Sequence, residues 1–331
     1  MTPRDRILPL FIPHLGCPHD CVFCDQRRIS GQRSPVTAAE VTAALEALES
    51  SVDELAFYGG SFTALPMAEQ TALLDAAQPY LQSGKVGRIR VSTRPDAIRG
   101  EVLDLLRSRH VETVELGAQS MDDAVLRASG RGHTAADTVR ASQLLRERGF
   151  HLMLQMMTGL PESTEASDVA TGEKLAALHP DGVRIYPTVI LRGTPLEALW
   201  RRGTYREHTV EDAVRVCARL LPVFEKAGIP VIRLGLNPTE ALSGGAAVGG
   251  AYHPALGELV KSRVYLNKAR KLLSASKHEE DVILGVCKND VSQMTGQHRC
   301  NLAALTDEFQ LRSLRVTAAD VPKGEIVIVK E

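Results

Sequence analysis

Apolar positions along this chain switch repeatedly between two periods. Short runs, alternating or continuous, give way to stretches in which apolar residues recur every three to four positions, the marks of strand and helix. The first strand covers Ile7–Ile12. Thr37-Ala38-Ala39-Glu40 has the spacing of a capping box, and the helix it opens carries Val41, Ala44, Leu45 and Leu48 on one face. The rhythm then repeats. A strand over Glu54–Tyr58 precedes a helix over Met67–Leu81, and a strand over Arg88–Ser92 precedes a helix over Glu101–Arg107. A strand over Thr113–Leu116 precedes two helices, Asp122–Ser129 and Ala135–Glu147, the second closed by Gly149. Strands over His151–Met157 and Gly182–Thr188 precede helices over Ala166–Leu178 and Glu211–Ala227.

Consecutive strand-then-helix units with right-handed crossovers imply an α/β fold with a parallel sheet covered by helices. A barrel-like curve and a doubly wound open sheet both satisfy the pattern. The turn after the first strand lacks Gly-x-Gly-x-x-Gly and carries cysteines instead, which argues against dinucleotide binding. From about Leu236 the rhythm breaks. The glycine-rich stretch Ser243–Pro254 reads as a loop or hinge. A long helix over Ala255–Leu273 follows, then a strand near Val282–Val286, a helix near Leu302–Phe309 and a strand near Glu325–Val329. The expected division is a core at 1–235 and a small α+β C-terminal extension at 236–331, laid over the mouth of the sheet.

Composition narrows the functional classes. The 331 residues are long enough for a sizeable core, and a formal net charge of −1 makes any basic surface a local one. Aromatic residues make up 4% of the chain, which weakens a stacking platform for single strands. There is no apolar run of the roughly 18 residues that a spanning helix needs. The opening segment has no h-region, being broken by Pro9 and Pro13, so the expectation is a cytoplasmic protein without membrane contact.

Three of the six cysteines fall in Cys17-Pro18-His19-Asp20-Cys21-Val22-Phe23-Cys24. A disulfide framework spreads its cysteines through a small secreted chain, so this cluster points to metal or redox chemistry. Three thiolates on a 4Fe-4S cluster leave one iron open. The amino and carboxylate groups of S-adenosylmethionine (SAM) can chelate such an iron, and one electron then splits the sulfonium to give a 5′-deoxyadenosyl radical. Zinc with His14 or His19 as fourth ligand is the structural alternative, although zinc ligands usually come in two separated pairs. An electron-transfer cluster wants a fourth cysteine, and the remaining three lie far off. The cysteine loop leaves the C-terminal end of the first strand, where barrels place their chemistry. Phe23 is placed to pack on a cluster or near an adenine.

The triplet, with Phe57–Pro66 (FYGGSFTALP), Val114–Thr134 (VELGAQSMDDAVLRASGRGHT) and Arg184–Tyr205 (RIYPTVILRGTPLEALWRRGTY), resembles the radical SAM domain of the Elongator catalytic subunit, a family that modifies the wobble uridine of tRNA. Anaerobic coproporphyrinogen oxidases share weaker versions of the same blocks. The resemblance covers roughly residues 6–235 and implies a partial (βα)6 radical SAM barrel, a 4Fe-4S cluster on Cys17, Cys21 and Cys24, SAM, and a flavodoxin or ferredoxin as electron donor. It also implies site residues. Gly59 and Gly60 match a pair that meets the methionyl amino group, and Ser61 continues that loop. Gln119 matches a ligand-contacting glutamine, and Arg131 an arginine that neutralises the SAM carboxylate. Ser92 and Gln155 stand where related enzymes carry acids, so the resemblance leaves hydrogen bonds but no charge there. That family's acetyltransferase domain is not expected here, because the segment after the match is short.

Other residues are weaker candidates. Arg94 and Arg192 follow strands and are candidates to face an anionic substrate at the mouth or to pair with acids. Tyr252 and His253 lie in the glycine-rich stretch. The segment 254–278 has six cations against Glu258, which makes it a candidate RNA contact or a solvated face. Cys217 is read as core, and Cys287 and Cys300 as buried, inert thiols. The rival to an enzyme is a non-catalytic zinc- or RNA-binding module on the same scaffold.

Overall fold

The computed structural model describes residues 6–12, 17, 21–25, 36–276 and 279–329. Its main sheet has seven strands: β1 (Ile7–Phe11), β2 (Val52–Tyr58), β3 (Val86–Thr93), β4 (Val111–Gln119), β5 (His151–Thr158), β6 (Gly182–Pro187) and, at the far edge, β8 (Val231–Leu234). Every neighbouring pair is parallel, and the strands lie in chain order. A doubly wound sheet reverses its order at a switch point; this one never does, so it curls steadily in one direction as a half-barrel.

Alternation along the strands separates two environments. Leu55 and Phe57, Ile89 and Val91, Val114 and Leu116, Leu152 and Leu154, and Val183 and Ile185 enter one buried apolar core with the covering helices. The intervening residues face the inside of the curl and are polar: Glu54, Arg88, Arg90, Ser92, Glu115, Gln155 and Arg184. Glu54 pairs with Arg88 at 3.0 Å and Arg90 at 2.8 Å; Glu115 pairs with Arg90 at 3.1 Å and Arg184 at 2.9 Å. Arg184 Nη2 also donates to Tyr58 Oη at 3.1 Å. Since β2 and β6 are not neighbours in the sheet, that bond crosses the lumen.

The helices begin where the capping residues predict. Thr37 caps Ala38–Glu46, Thr134 caps Ala135–Glu147, Thr164 caps Glu165–Ala176 and Thr209 caps Val210–Lys226, each with the reciprocal bond of a capping box.

The glycine-rich stretch is not simply a loop. β9 (Ala247–Gly250) pairs antiparallel with β7 (Val189–Leu191), forming a ribbon beyond the end of β6. The helix Leu256–Ala275 packs its first turns, through Leu256 and Val260, into the main core. Its later residues Tyr265, Leu266, Ala269 and Leu273 belong to a second core. That core is completed by a sheet of β10 (Asp281–Val286) between β11 (Ser313–Ala318) and β12 (Ile326–Val329), with the helix Cys300–Phe309. None of the helices among the described residues is long and apolar enough to cross a membrane.

Candidate functional site

The C-terminal ends of β2, β3 and β4 bring most of the candidate residues together. Gly59 has φ +88°, a conformation cheap only for glycine, and turns the chain as β2 ends. Ser61 is buried, and its hydroxyl lies 3.3 Å from Cys17 Sγ. The hydroxyls of Thr63 and Thr93, 2.6 Å apart, tie this loop to the end of β3.

β4 ends in an irregularity between Gly117 and Gln119, and Gln119 itself takes φ +63°. Two polar side chains pass close to Gly117. A Cβ there would stand 2.9 Å from Gln119 Nε2 and 3.2 Å from Arg131 Nη2. Arg131 is carried on a turn between Gly130 and Gly132, both with positive φ (+67° and +72°). Its Nη2 donates to the Gly117 carbonyl at 2.7 Å and its Nη1 to Cys21 Sγ at 3.4 Å. Arg131 thus joins β4 to the cysteine loop. The loop is held elsewhere by backbone: Val22 N donates to Ser129 O at 3.1 Å, and Leu196 N to Val22 O at 2.8 Å.

Within this bowl, Ser92 Oγ, Gln119 Oε1 and Arg131 Nε are buried and lack a hydrogen-bond partner among the described residues. Buried polar groups are nearly always satisfied, so orphans gathered at one place mark where a polar ligand belongs. The cysteine loop and a guanidinium beside these orphans suit a thiolate-held cluster with a zwitterionic ligand. Among the described residues no three Cys, His, Asp or Glu side chains stand close enough to share one metal ion. A cubane instead spreads its thiolates over separate irons. His14 and His19, the zinc alternatives, lie outside the described residues, as does Lys277.

The remaining candidates sit as follows. Phe23 is half-buried against an apolar group containing Ile190, Leu196 and Tyr205, and so anchors the loop by packing. Arg94 does not face an open mouth. It is 2% exposed, forms a two-pronged pair with Asp96 and donates to the Arg131 carbonyl at 2.6 Å. It therefore supports the turn that presents Arg131. Arg192 and Tyr252 belong to the β7–β9 ribbon: Arg192 Nη2 donates to Gly245 O at 3.3 Å, and Tyr252 Oη lies 2.9 Å from Ser243 Oγ. Cys217 is core as expected, its thiol pushed up to about 12 by burial. Cys287 is half-buried and Cys300 exposed, because Cys300 opens its helix at the solvent end. Most cations of the long basic helix are engaged: Lys261 with Glu258, Arg263 with Glu211, Arg270 with Glu308 and Lys268 with Gly324 O.

Two features escaped the sequence reading. His133 is buried, bonded to Ala118 O at 3.2 Å, and pushed down to about 4 by burial and the nearby Arg131. Glu115 is wholly buried on the inner face, between Ser92 by register and Gln155, whose Nε2 donates to it. Alternation in Val114-Glu115-Leu116 signalled an inward acid. Separately, a cavity of about 500 Å³ lies between the turn after β5 and residues 204–216; none of the bowl residues line it.

The radical SAM superfamily profile matches residues 11–175, and the profile of the radical SAM C-terminal domain matches residues 180–266. Elongator complex protein 3 of Mus musculus is 30% identical over 199 residues, 54% of this chain and 36% of that protein. The tRNA uridine(34) acetyltransferase of Methanocaldococcus infernus is 26% identical over 255 residues, 63% of this chain and 48% of that protein. The chain thus spans about half or less of these relatives. Among solved structures, Methanocaldococcus infernus Elp3 aligns with TM-score 0.61 at 24% identity, covering 81% of this chain and 63% of that one. Coproporphyrinogen III oxidase from Escherichia coli aligns with TM-score 0.51 at 19% identity, covering 69% of this chain and 54% of that one. These two likenesses support the half-barrel fold.

Proposed function

The chain belongs to the radical SAM superfamily, and from that premise we propose that it uses a 4Fe-4S cluster on Cys17, Cys21 and Cys24 to act on SAM. The observation that carries the reading is the group of orphaned buried atoms, Ser92 Oγ, Gln119 Oε1 and Arg131 Nε, beside the cysteine loop. When bound, the cluster and SAM supply reductive cleavage to a 5′-deoxyadenosyl radical, which abstracts hydrogen from a substrate.

The chain's own residues have the following parts. The backbone at Gly59 and Gly60 lets the methionyl amino group approach. Arg131, already linked to Cys21 and Gly117, neutralises the SAM carboxylate, with Nε still lacking a partner. Gln119 and Ser92 hydrogen-bond the remaining polar groups. A flavodoxin or ferredoxin supplies the electron.

Relatives named for tRNA support an RNA substrate; a small metabolite is the other class. The paired cations of Leu256–Ala275 favour neither strongly, and salt-sensitive tRNA binding decides between them.

Anaerobic reconstitution tests the reading. The expected result is about four irons and four sulfides per chain and 5′-deoxyadenosine after dithionite. Cys17→Ala, Cys21→Ala or Cys24→Ala removes both. A colourless protein holding one zinc would overturn it in favour of a non-catalytic module.

A further inference from the structure

Glu115 stands between two guanidiniums. Arg90 Nη1 meets one of its oxygens at 3.1 Å, and Arg184 Nε the other at 2.9 Å. Gln155 Nε2 donates to the oxygen that Arg184 meets. A carboxylate so paired offers acceptors only. The Gln155 amide therefore has one admissible orientation, with NH2 toward Glu115 and the carbonyl oxygen away from it. An amide without such a neighbour can present either end.

The freed carbonyl borders the bowl. By register Gln155 lies beside Gly117, whose carbonyl takes Arg131 Nη2 and whose missing Cβ leaves room for Gln119 and Arg131. Gln155 is half-buried, and its side chain makes no second hydrogen bond among the described residues. A carboxylate at this position would face Glu115 at contact distance, where like charges repel. Charge and acceptor are thus divided between neighbouring strands.

We propose that Glu115 is a positioning residue, fixing the Gln155 amide as an obligate acceptor for a polar hydrogen, hydroxyl or ammonium, of the ligand seated over Gly117. This rests on the cofactor reading above and specifies how one of its contacts is oriented.

The test measures equilibrium binding by dialysis to the full chain loaded anaerobically with its cluster. Three probes are used: SAM, methylthioadenosine, which keeps the ribose hydroxyls but lacks the ammonium, and a 2′,3′-dideoxy SAM analogue, which does the reverse. Gln155→Leu is expected to weaken SAM binding about tenfold, the worth of one hydrogen bond, with iron content unchanged. Glu115→Gln weakens it similarly by releasing the amide. In the Gln155→Leu background Glu115→Gln is expected to cost less than about a further twofold, because no amide is left to orient. A merely structural Glu115 gives additive losses.

A Gln155→Leu effect kept with methylthioadenosine assigns the hydrogen to a hydroxyl; one kept with the dideoxy analogue assigns it to the ammonium. Either supports the proposal. Gln155→Leu leaves both arginine pairs in place, so the test stands if Glu115→Gln folds poorly. Wild-type affinity of Gln155→Leu for all three probes, or additive losses in the double variant, overturns the proposal while leaving the cofactor reading intact. A wild-type chain that takes up its cluster and binds no SAM overturns both.

Discussion

At the scale of single residues, the turn after β5 shows how burial sets protonation. Gly159 has φ +71°, and a Cβ on it would stand 2.0 Å from the His208 ring. Its N–H donates to Asp168 Oδ2 at 2.9 Å, and Thr158 Oγ1 lies 3.0 Å from His208 Nε2. Burial pushes Asp168 up from 3.8 to about 7 and His208 down from 6.5 to about 4. These shifts act oppositely on stability. As pH falls from 6.5 toward 4 the unfolded chain takes up the His208 proton first, so stability drops. As pH rises from 3.8 to 7 the native chain must hold or lose the Asp168 proton where the unfolded chain has already lost it, so stability drops in that direction too. Asp168→Asn keeps an acceptor for Gly159 and removes the second penalty. Its melting temperature relative to wild type is expected to be several degrees more favourable at about pH 8 than at about pH 5. Thermal melts at the two values check this, and an offset independent of pH would refute it.

Among the elements, the long helix Leu256–Ala275 shows why a count of charges misleads. Six cations in 254–278 suggested a phosphate-binding face, yet Arg263 and Arg270 reach acids on other elements. Both members of the Arg270–Glu308 pair are well exposed, so Arg270→Ala should cost less than about 1 kcal/mol in urea unfolding. A loss of several kcal/mol would mean the pair organises the second core. Element boundaries were legible where capping chemistry or long apolar periodicity wrote them, as at Thr37 and Gly149. They were not legible where strands were short. Val231–Leu234 and Val189–Leu191 have too few residues to show a period, and Ala247–Gly250 is a strand only because β7 pairs with it. In the site, the cysteines announced themselves by spacing, and the glycine pair through the family resemblance. Glu115 did not, because its importance lies in neighbours from β3, β5 and β6 that only the folded register supplies.

Over the whole molecule, the curl of the sheet is tied internally. Arg184 on β6 pairs with Glu115 on β4 and reaches Tyr58 on β2, whose hydroxyl is pushed up to about 12 by burial and the Glu115 charge. Removing one partner of a buried pair typically costs about 3–5 kcal/mol. Arg184→Met should lower the unfolding free energy by that amount, and a loss under about 1 kcal/mol would show that the crossing contributes little. A second long-range connection has a mechanical consequence. Leu256 lies against Gly235, just past the edge strand β8, while the far end of the same helix is set among Leu284, Leu305 and Leu314 of the small sheet and its helix. A rod gripped at both ends cannot tilt at one alone. Load applied to the outer sheet arrives at the free edge of the curl, so anything that leans on the C-terminal part also pulls on strand β8.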